Sequence, residues 1–512
     1  MFAPGALLEV SLLYHGGDKG LFDKSKAVLV FKGVVTRHTL SATREKVQLV
    51  VEARHKAVAM TTDRKNFVWI KPSQTDREII TKLFKNAGIT AKFRPGLQYS
   101  VQDEMVQYYC TDWDFVLTRC QANGFIVVPG PKGVQISPMD DKQPDKEEFE
   151  IVEDQIIDFD FEVTNDYQYA TVNGSALDPK TGKPVTASAA QKGAKGKQGV
   201  LQPGPISSKT GGKEFILNST YASRPELTRW AFGMQTKAKL SMLKGRLSVR
   251  GTPKLEVGQV VKFSGLGKKF SGQTMITGIR HRANIGTWRT DIQFGGPGDW
   301  HAHKPEVMER PASGLLPGTN GLQIGIVQDY EADKKGLVRA KVLVPNLAKG
   351  QSKGFLWARL GSMYAGDKTP GGQPRGMVFW PEKNTEVILG FFNDDPRYPV
   401  ILGQLWGKPA QMPLKPAKNN PFKGIVSAKG MMLKYDDKKE IISLDTKKIS
   451  LMIDQKANKF TIDDKANKNK IVLDSKGILL DSAKDIQLKS KGGLKIKAGK
   501  PMEIDAPKVK TK

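Results

Sequence analysis

The repeats at the C-terminal end of the chain constrain its fold more than any other feature. Between residues 442 and 505, short units alternate apolar and polar residues, as in Ile442 to Asp445, Ile471 to Asp474 and Met502 to Asp505. The units recur roughly every seven to eleven residues, a spacing typical of a β-solenoid or β-prism. Because each unit is too short to form its own core, this segment must stack its units to bury apolar side chains.

Each strand of this segment offers only one apolar row, so a single chain has a thin inner face. Three copies that share an Ile/Leu interior would bury that face. We therefore predict a homotrimeric β-helical spike over residues 422–512, with eight units stacking to about 40 Å at about 4.8 Å per strand. The predicted interior, which is also the trimer interface, consists of Leu444, Ile449, Leu451, Ile453, Phe460, Ile462, Ile471, Leu473, Ile478, Leu480, Ile486, Leu488, Leu494 and Ile496.

The chain is strongly basic, with 80 Lys and Arg residues and a formal net charge of +28. Such an excess of positive charge usually indicates a protein that binds nucleic acid, an anionic surface or acidic partners. From residue 422 onward, however, the only aromatic residues are Phe422, Tyr435 and Phe460, whereas proteins that bind single strands need aromatic stacking platforms. We therefore favour the interpretation that the lysines keep an all-strand spike soluble and discourage pairing between exposed sheet edges. Nucleic acid is thus an unlikely partner, although binding to it stays an alternative.

Residues 321–407 have the pattern of a small antiparallel barrel. Apolar residues alternate with polar or small ones, as in Leu322, Ile324 and Ile326, and clusters of Gly, Pro, Asn and Asp separate five or six short strands. The pieces GLVRAKVLVP, PRGMVFWPEKNTEVILGF and DDPRYPVILGQLWG resemble the oligonucleotide/oligosaccharide-binding (OB) barrel of the VgrG and phage tail-spike family of contractile injection systems. Where that family usually has Gly, Asn384-Thr385 precedes Glu386. We expect this barrel to form a neck.

Residues 1–165 are interpreted as a first hub domain. Its alternating segments predict strands, and two helices are predicted to begin after Thr75, which forms a capping box with Glu78, and after Thr111. The block QYYCTDWDFVL, from Gln107, resembles the hub domain of VgrG proteins. Asp112 and Asp114 lie in the first turn of the second helix, where carboxylates stabilise the positive end of the helix dipole, so we do not assign them acid-base chemistry.

Residues 166–310 are interpreted as a second hub domain. A small, polar and basic segment near 177–213 predicts an exposed flexible loop, and a helix is predicted near 225–244 with Ser223 as its cap. The segments VGQVVKFSG, FSGQTMITGIRHR and GTWRTDIQFG are similar to the second hub barrel of the same family. A linker follows at 311–320. The predicted fold class is mainly β, with α+β hub domains, β-barrel hub domains, an OB-fold neck and a C-terminal trimeric β-helix or β-prism needle.

No motif for catalysis or cofactor binding is found in the sequence. A Gly-rich phosphate loop, HExxH and a nucleophile elbow are all missing. Cys110 and Cys120 flank or occupy a predicted helix and would lie roughly 15 Å apart, too far for a disulfide. His301 and His303 could place two imidazoles together with Asp299, but nothing nearby completes a metal site. We predict no enzyme activity, catalytic residue, metal or cofactor.

The resemblance implies a structural role. The chain would be the central spike and hub of a contractile injection system, a homotrimer that caps the inner tube, contacts baseplate proteins and pierces the target envelope. A tip protein with proline-alanine-alanine-arginine (PAAR) repeats would dock on the C-terminal end, with effector cargo as a further passenger and the target membrane as a transient contact. The predicted docking residues are Met502, Ile504, Pro507 and Val509.

Some assignments stay open at this point. Type VI secretion, an extracellular particle and a phage all fit the resemblance. The N-terminus has no basic leader or long apolar core, which predicts synthesis in the cytoplasm without a signal peptide, assembly into the particle and delivery outside or into the target cell. The alternatives are a basic nucleic-acid-binding OB-fold protein with a solenoid tail and a cell-wall-hydrolysing spike.

Overall fold

A computed structural model describes residues 2–13, 27–139, 147–150, 156–178, 181–190, 213–284, 286–330, 338–348, 352–366, 371–407 and 412–510. These residues are mostly β, with a β-barrel, which confirms the predicted fold class at that level. The chain divides into two compact units, Met1–Arg310 and Pro311–Lys512.

The first part of unit 1 combines short sheets with two helices. The strand order is β1-β2-β3 in one sheet, β4-β6 in a second and β5-β8-β7 in a third. Their bounds are β1 (Leu7–Leu12), β2 (Val28–Ala42), β3 (Val47–Arg54), β4 (Arg64–Thr75), α1 (Asp76–Asn86), β5 (Ala91–Phe93), β6 (Val101–Thr111), α2 (Asp112–Ala122), β7 (Phe125–Gly130) and β8 (Gly133–Pro138). Residues of α1, α2, β7 and β8 bury a shared apolar core around Phe84 and Val116.

Local sequence determines where both helices begin. The Thr75 hydroxyl accepts a hydrogen bond from the backbone N–H of Glu78, and the Glu78 carboxylate accepts one from the N–H of Thr75. This is the predicted capping box. The hydroxyl of Thr111 likewise accepts from the N–H of Asp114, as predicted for the start of α2. Both predictions are confirmed.

The second part of unit 1 contains a six-stranded and a three-stranded sheet. The first has the order β10-β14-β17-β16-β15-β9 and the second β12-β11-β13. Their bounds are β9 (Glu147–Glu150), β10 (Ile156–Val163), β11 (Thr171–Leu177), β12 (Pro184–Ala190), β13 (Glu214–Tyr221), α3 (Arg224–Leu240), β14 (Leu243–Arg250), β15 (Val260–Ser264), α4 (Gly267–Phe270), β16 (Gly272–Asn284) and β17 (Thr287–Phe294). Within the described residues, the two outermost strands of the larger sheet, β10 and β9, do not pair with each other, so the predicted closure into a hub barrel is not seen there.

The sequence predicts a flexible loop near 177–213, but part of this segment forms a strand. Pro184–Ala190 form β12, which pairs antiparallel with β11 from Leu177↔Pro184 to Thr171↔Ala190. The side chains of β12 are small, so the segment resembles a loop in composition, yet its backbone groups are satisfied by β11. Residues 191–212, which include most of the predicted basic loop, lie outside the described residues.

Helix α3 packs closely enough on the end of α2 to require a glycine. A Cβ atom on Gly233 would lie 2.4 Å from the backbone oxygen of Gln121 and 3.1 Å from the nitrogen of Gly124. Backbone atoms cannot move aside as a flexible side chain can, so the two helices would have to separate.

We therefore expect Gly233→Ala to destabilise unit 1 by about 1–3 kcal/mol. Helix propensity alone predicts the opposite sign, because Ala is favoured over Gly by about 1 kcal/mol in a helix. Urea unfolding followed by tryptophan fluorescence measures the change. Gly296→Ala is the control, since a Cβ there meets nothing within 4 Å. A midpoint for Gly233→Ala at or above that of the unmodified chain would contradict the close packing.

Unit 2 begins with a closed five-stranded barrel. Its order is β18-β19-β20-β24-β23, and Val327, Val342, Leu389 and Ile401 are among its fully buried residues. The bounds are β18 (Gln323–Asp329), β19 (Arg339–Leu343), β20 (Phe355–Leu360), β23 (Glu386–Phe391) and β24 (Pro399–Leu405), with β21 (Ala365–Gly366) and β22 (Arg375–Gly376) as a separate pair. The predicted barrel is confirmed.

The C-terminal segment forms an antiparallel sheet in which neighbours in sequence are neighbours in space. The seven strands are β25 (Phe422–Val426), β26 (Met432–Asp436), β27 (Ile441–Asp445), β28 (Ile449–Asp454), β29 (Lys459–Asp464), β30 (Asn469–Asp474) and β31 (Gly477–Asp481). Residues 482–510 contain no strand, although the sequence predicts three units there. A strand without a covered apolar face is marginal in water, and the side chains of residues 483–510 are exposed in the single chain.

Candidate assembly surface

The register of the C-terminal sheet places its apolar side chains on one face. Leu444 pairs with Leu451, which pairs with Ile462, and this row continues to Ile471 and Leu480. Because alternate residues of a strand point to the same side, a second row parallel to the first lies on that face. It consists of Ile442, Ile453, Phe460, Leu473 and Ile478. We call these ten residues, with Ile449, the apolar face.

No layer covers the apolar face within the described residues. Leu444 is 52% exposed, Ile449 49% and Ile478 73%, although each lies within a regular strand. None of the five clusters of buried apolar residues found in the described chain includes a residue of this sheet. A sheet of this kind is stable only when its apolar face is buried against another layer.

The structure brings together ten of the fourteen residues predicted to form the needle interior, from Leu444 to Leu480. The other four, Ile486, Leu488, Leu494 and Ile496, are exposed and lie after the last strand. The prediction had omitted Ile442, although it alternates with Leu444 and so belongs to the same face. Leu433 and Tyr435 of β26 also extend the two rows, at positions opposite Leu444 and Ile442.

The opposite face of the sheet is different in chemistry. Its central row contains Ser443, Met452, Thr461 and Val472, in register across four strands. Ser443, Thr461 and Val472 are buried among their neighbours. Charged residues flank this row, and one pair, Lys459 with Asp474, is within 4.0 Å. The sheet therefore has one apolar face and one polar face.

The predicted tip-docking residues are available at the C-terminal end. Met502, Ile504 and Val509 are exposed, and so is Pro507, in a segment without assigned strands. These four residues are not buried, and no described strand or helix holds them at a common site. Docking of a tip protein stays a prediction.

His301 and Asp114 form a structural pair in unit 1. The Nε2 atom of His301 lies 3.1 Å from a carboxylate oxygen of Asp114, and the backbone N–H of His301 donates to the side chain of Gln121. The other carboxylate oxygen of Asp114 accepts from the Thr111 hydroxyl. Among the described residues, no group of three or more His, Cys, Asp or Glu residues could hold a metal ion. This arrangement ties a short turn to the start of α2.

The sequence interpretation missed a buried charge network between α1 and α2. Arg119 donates two hydrogen bonds to Asp76, at 2.8 and 2.9 Å, and Asn123 donates a third at 2.7 Å. Asp76 is fully buried. Arg119 also lies 3.4 Å from Glu226 at the start of α3. Since Asp76 and Arg119 are 43 residues apart, only the fold brings them together.

The two cysteines are free thiols, as predicted. Burial, together with the nearby carboxylate of Asp114, raises the pKa of the Cys110 thiol to about 11. Thiolates are the reactive form of cysteine, so neither position has the environment of a nucleophile: Cys120 is buried more deeply still.

In the part of the chain that the structure describes, no helix has both the length and the apolar character to span a bilayer.

Comparisons with known proteins give partial structural similarities. A tail protein from Neisseria meningitidis MC58 is 13% identical with a TM-score of 0.41, over 55% of this chain and 83% of that one. The E. coli c3393 protein is described as a type VI secretion component similar to the T4 phage tail proteins gp27 and gp5. It is 14% identical with a TM-score of 0.34, over 76% of this chain and 90% of that one. A Francisella PdpA-VgrG complex is 9% identical with a TM-score of 0.32, over 89% of this chain and 75% of that one. No curated protein matches.

Two family models match the chain. Residues 1–284, more than half of its length, match the Alg8 N-terminal domain. Residues 323–406 match the type VI secretion system/phage-baseplate injector OB domain. The second match falls on the closed barrel, and it confirms the resemblance to VgrG and phage-tail proteins. The chain thus belongs to the Alg8 N-terminal domain family and carries the injector OB domain of the VgrG and phage hub-spike proteins of contractile injection systems.

Proposed function

We propose that this chain is the central hub and spike of a contractile injection system and that it acts as a homotrimer. The observation that carries the proposal is the uncovered apolar face of the C-terminal sheet, next in sequence to an injector OB domain. Three copies would turn this face toward a common axis. The needle would then have an apolar interior and a polar exterior.

The energetic argument for assembly is the apolar area involved. Side chains such as Leu444, Ile449 and Leu480 are about half exposed in one chain. Burying the remaining half of an aliphatic side chain contributes about 1 kcal/mol. Eight of the eleven residues of the apolar face are more than a third exposed in one chain, and burying them in three copies together would offset the loss of translational and rotational freedom. A face-to-face pair of sheets would also bury this surface, and the family resemblance favours three copies over two.

The hub would supply contacts to the inner tube and baseplate. Exposed apolar residues occur along the strands of its first part, including Leu40 and Val47 in the β2-β3 hairpin and Ile70 and Val106 in β4 and β6. Exposed apolar strands of this kind are typical of surfaces that are covered in an assembly. The OB domain would form the neck between hub and needle.

The C-terminal end would carry the tip. Met502, Ile504, Pro507 and Val509 offer apolar contacts to a PAAR-type tip protein, with effector cargo attached to it. The completed particle would act outside the producing cell or in the target cell, with synthesis in the cytoplasm. The proposed mechanism is mechanical: a rigid trimer transmits the force of contraction to a narrow tip, and no catalytic step is involved.

Electron microscopy of the purified full-length chain tests the proposal. We expect class averages with threefold symmetry, a wide hub and one narrow rod. Removal of the chain from producing cells should also abolish assembled injection particles, because the baseplate would lose its centre. Single, asymmetric particles, or intact injection particles that lack the chain, would rule out the hub-spike role.

A further inference from the structure

The turns of the C-terminal sheet differ in net charge between the two sides on which its strands end, which we call its two edges. In an antiparallel meander, successive turns alternate between the edges, so every second turn lies on the same side. The turns at 427–431, 446–448 and 465–468 share one edge, and those at 437–440, 455–458 and 475–476 share the other. The first edge has five turn lysines, Lys429, Lys447, Lys448, Lys465 and Lys468, and no acidic turn residue. We call these five the lysine column.

The opposite edge provides an internal comparison. Its turns have four lysines, Lys438, Lys439, Lys456 and Lys476, together with the acidic residues Asp437 and Glu440. Aspartates that end strands do not change the contrast, because each edge has three of them. Most of these aspartates are already engaged by nearby N–H or hydroxyl groups, as Asp464 is by Asn467. The positive charge is therefore concentrated on one edge.

The turns of the column contact one another directly. The backbone N–H of Lys465 donates to the backbone oxygen of Lys448 at 2.9 Å, which fixes two successive turns side by side. Turns on one edge repeat every second strand, about 9.6 Å apart. The three turns thus follow one another along the stacking direction of the strands. All five lysine side chains are exposed, and none forms an ion pair with another described residue.

Protection of sheet edges does not account for this arrangement. Lysines that prevent edge-to-edge aggregation lie on the first or last strand of a sheet, where backbone groups are unpaired. Four of the five lysines of the column instead lie in turns that join interior strands, and only Lys429 follows the outermost strand β25. General solubility would be served equally well by lysines on both edges, and it predicts no separation from acidic residues.

We propose that the lysine column binds the phosphate groups of an anionic bilayer. This inference rests on the proposed needle, in which a homotrimer would present three such columns on its outside. Lysine binds phosphate as a point charge on a flexible stem and tolerates varied geometry. Juxtaposed lysines are attracted to anionic lipid surfaces in proportion to their number. The column has no aromatic residue for base stacking, which favours a phosphate surface over single-stranded nucleic acid.

The test compares two sets of matched substitutions in the full-length chain. The column variant, K447Q/K448Q/K465Q/K468Q, removes four of the five column lysines, and the control variant, K438Q/K439Q/K456Q/K476Q, removes the same number of charges from the opposite edge. Each is sedimented with phosphatidylcholine vesicles, alone or with phosphatidylglycerol added, at low and moderate salt. We expect binding only with phosphatidylglycerol, weakened by salt, and at least about a tenfold loss of partitioning in the column variant but little loss in the control.

The remaining outcomes overturn the inference. Equal losses in both variants would mean that total charge, not the column, determines binding. Absence of binding to the anionic vesicles would also contradict it. If the column variant loses affinity for a short DNA duplex while its vesicle binding is unchanged, nucleic acid is the ligand. A column variant that keeps the oligomeric mass of the unmodified chain shows that a loss of binding does not come from failure of the needle itself.

Discussion

Replacing Leu480 with Asp is expected to convert the proposed homotrimer into separate chains. Leu480 lies on the apolar face, in register with Ile471, and in the needle it would turn toward the shared axis. Three carboxylates would then meet in an apolar interior without partners. Burying even one unpaired charge costs several kcal/mol. Sedimentation velocity of the full-length variant measures the result.

The neighbouring residue is a closely matched control. Leu479 is in the same strand, opposite Val472, and points to the other face of the sheet. It is 53% exposed in the single chain, compared with 50% for Leu480. Leu479→Asp should therefore leave the oligomer intact. If both variants dissociate, or neither does, the apolar face is not the trimer interface.

Replacing Arg119 with Met should give the largest loss of stability in unit 1, about 3–5 kcal/mol. The variant leaves the carboxylate of Asp76, which is fully buried, with Asn123 as its remaining side-chain donor. Burial disfavours the charged guanidinium, but Asp76 and Glu226 outweigh that penalty, so the pKa of Arg119 is raised. The group is charged at all accessible pH values, and the loss should not depend on pH near neutrality. Urea unfolding followed by tryptophan fluorescence gives the shift in midpoint.

Two comparisons show whether burial is the cause. Arg37→Met removes a partner of Glu52 at 3.6 Å, in a pair that is largely exposed, and should cost less than about 1 kcal/mol. Combining Arg119→Met with Asp76→Leu should recover part of the loss, because no unpaired buried charge remains. Similar losses for Arg37→Met and Arg119→Met would refute the role of the buried network.

The elements that the sequence predicted well are those specified by nearby residues. The capping box of Thr75 and Glu78 needs four consecutive residues, and the alternation of Ile449, Leu451 and Ile453 within one strand needs only a period of two. For the same reason, ten of the fourteen needle residues could be assigned to one face before the register was known. The barrel of unit 2 was predicted from alternation together with turn residues.

The features that were missed depend on distant partners. Asp114 meets His301 across 187 residues, and nothing in either local sequence indicates the contact. The residues of β12 are small and polar, so that strand is defined by its pairing with β11 and not by composition. The units after residue 481 fit the repeat but form no strand among the described residues of one chain; the proposed trimer would supply the surface that covers them.

The homotrimer is the central claim, and the solution mass of the full-length chain tests it most directly. Light scattering at low and at high salt should give three times the mass of one chain under both conditions, because apolar burial does not weaken as salt screens charge. A mass of one or two chains, or a trimer that dissociates in salt, would contradict a needle held together by its apolar interior.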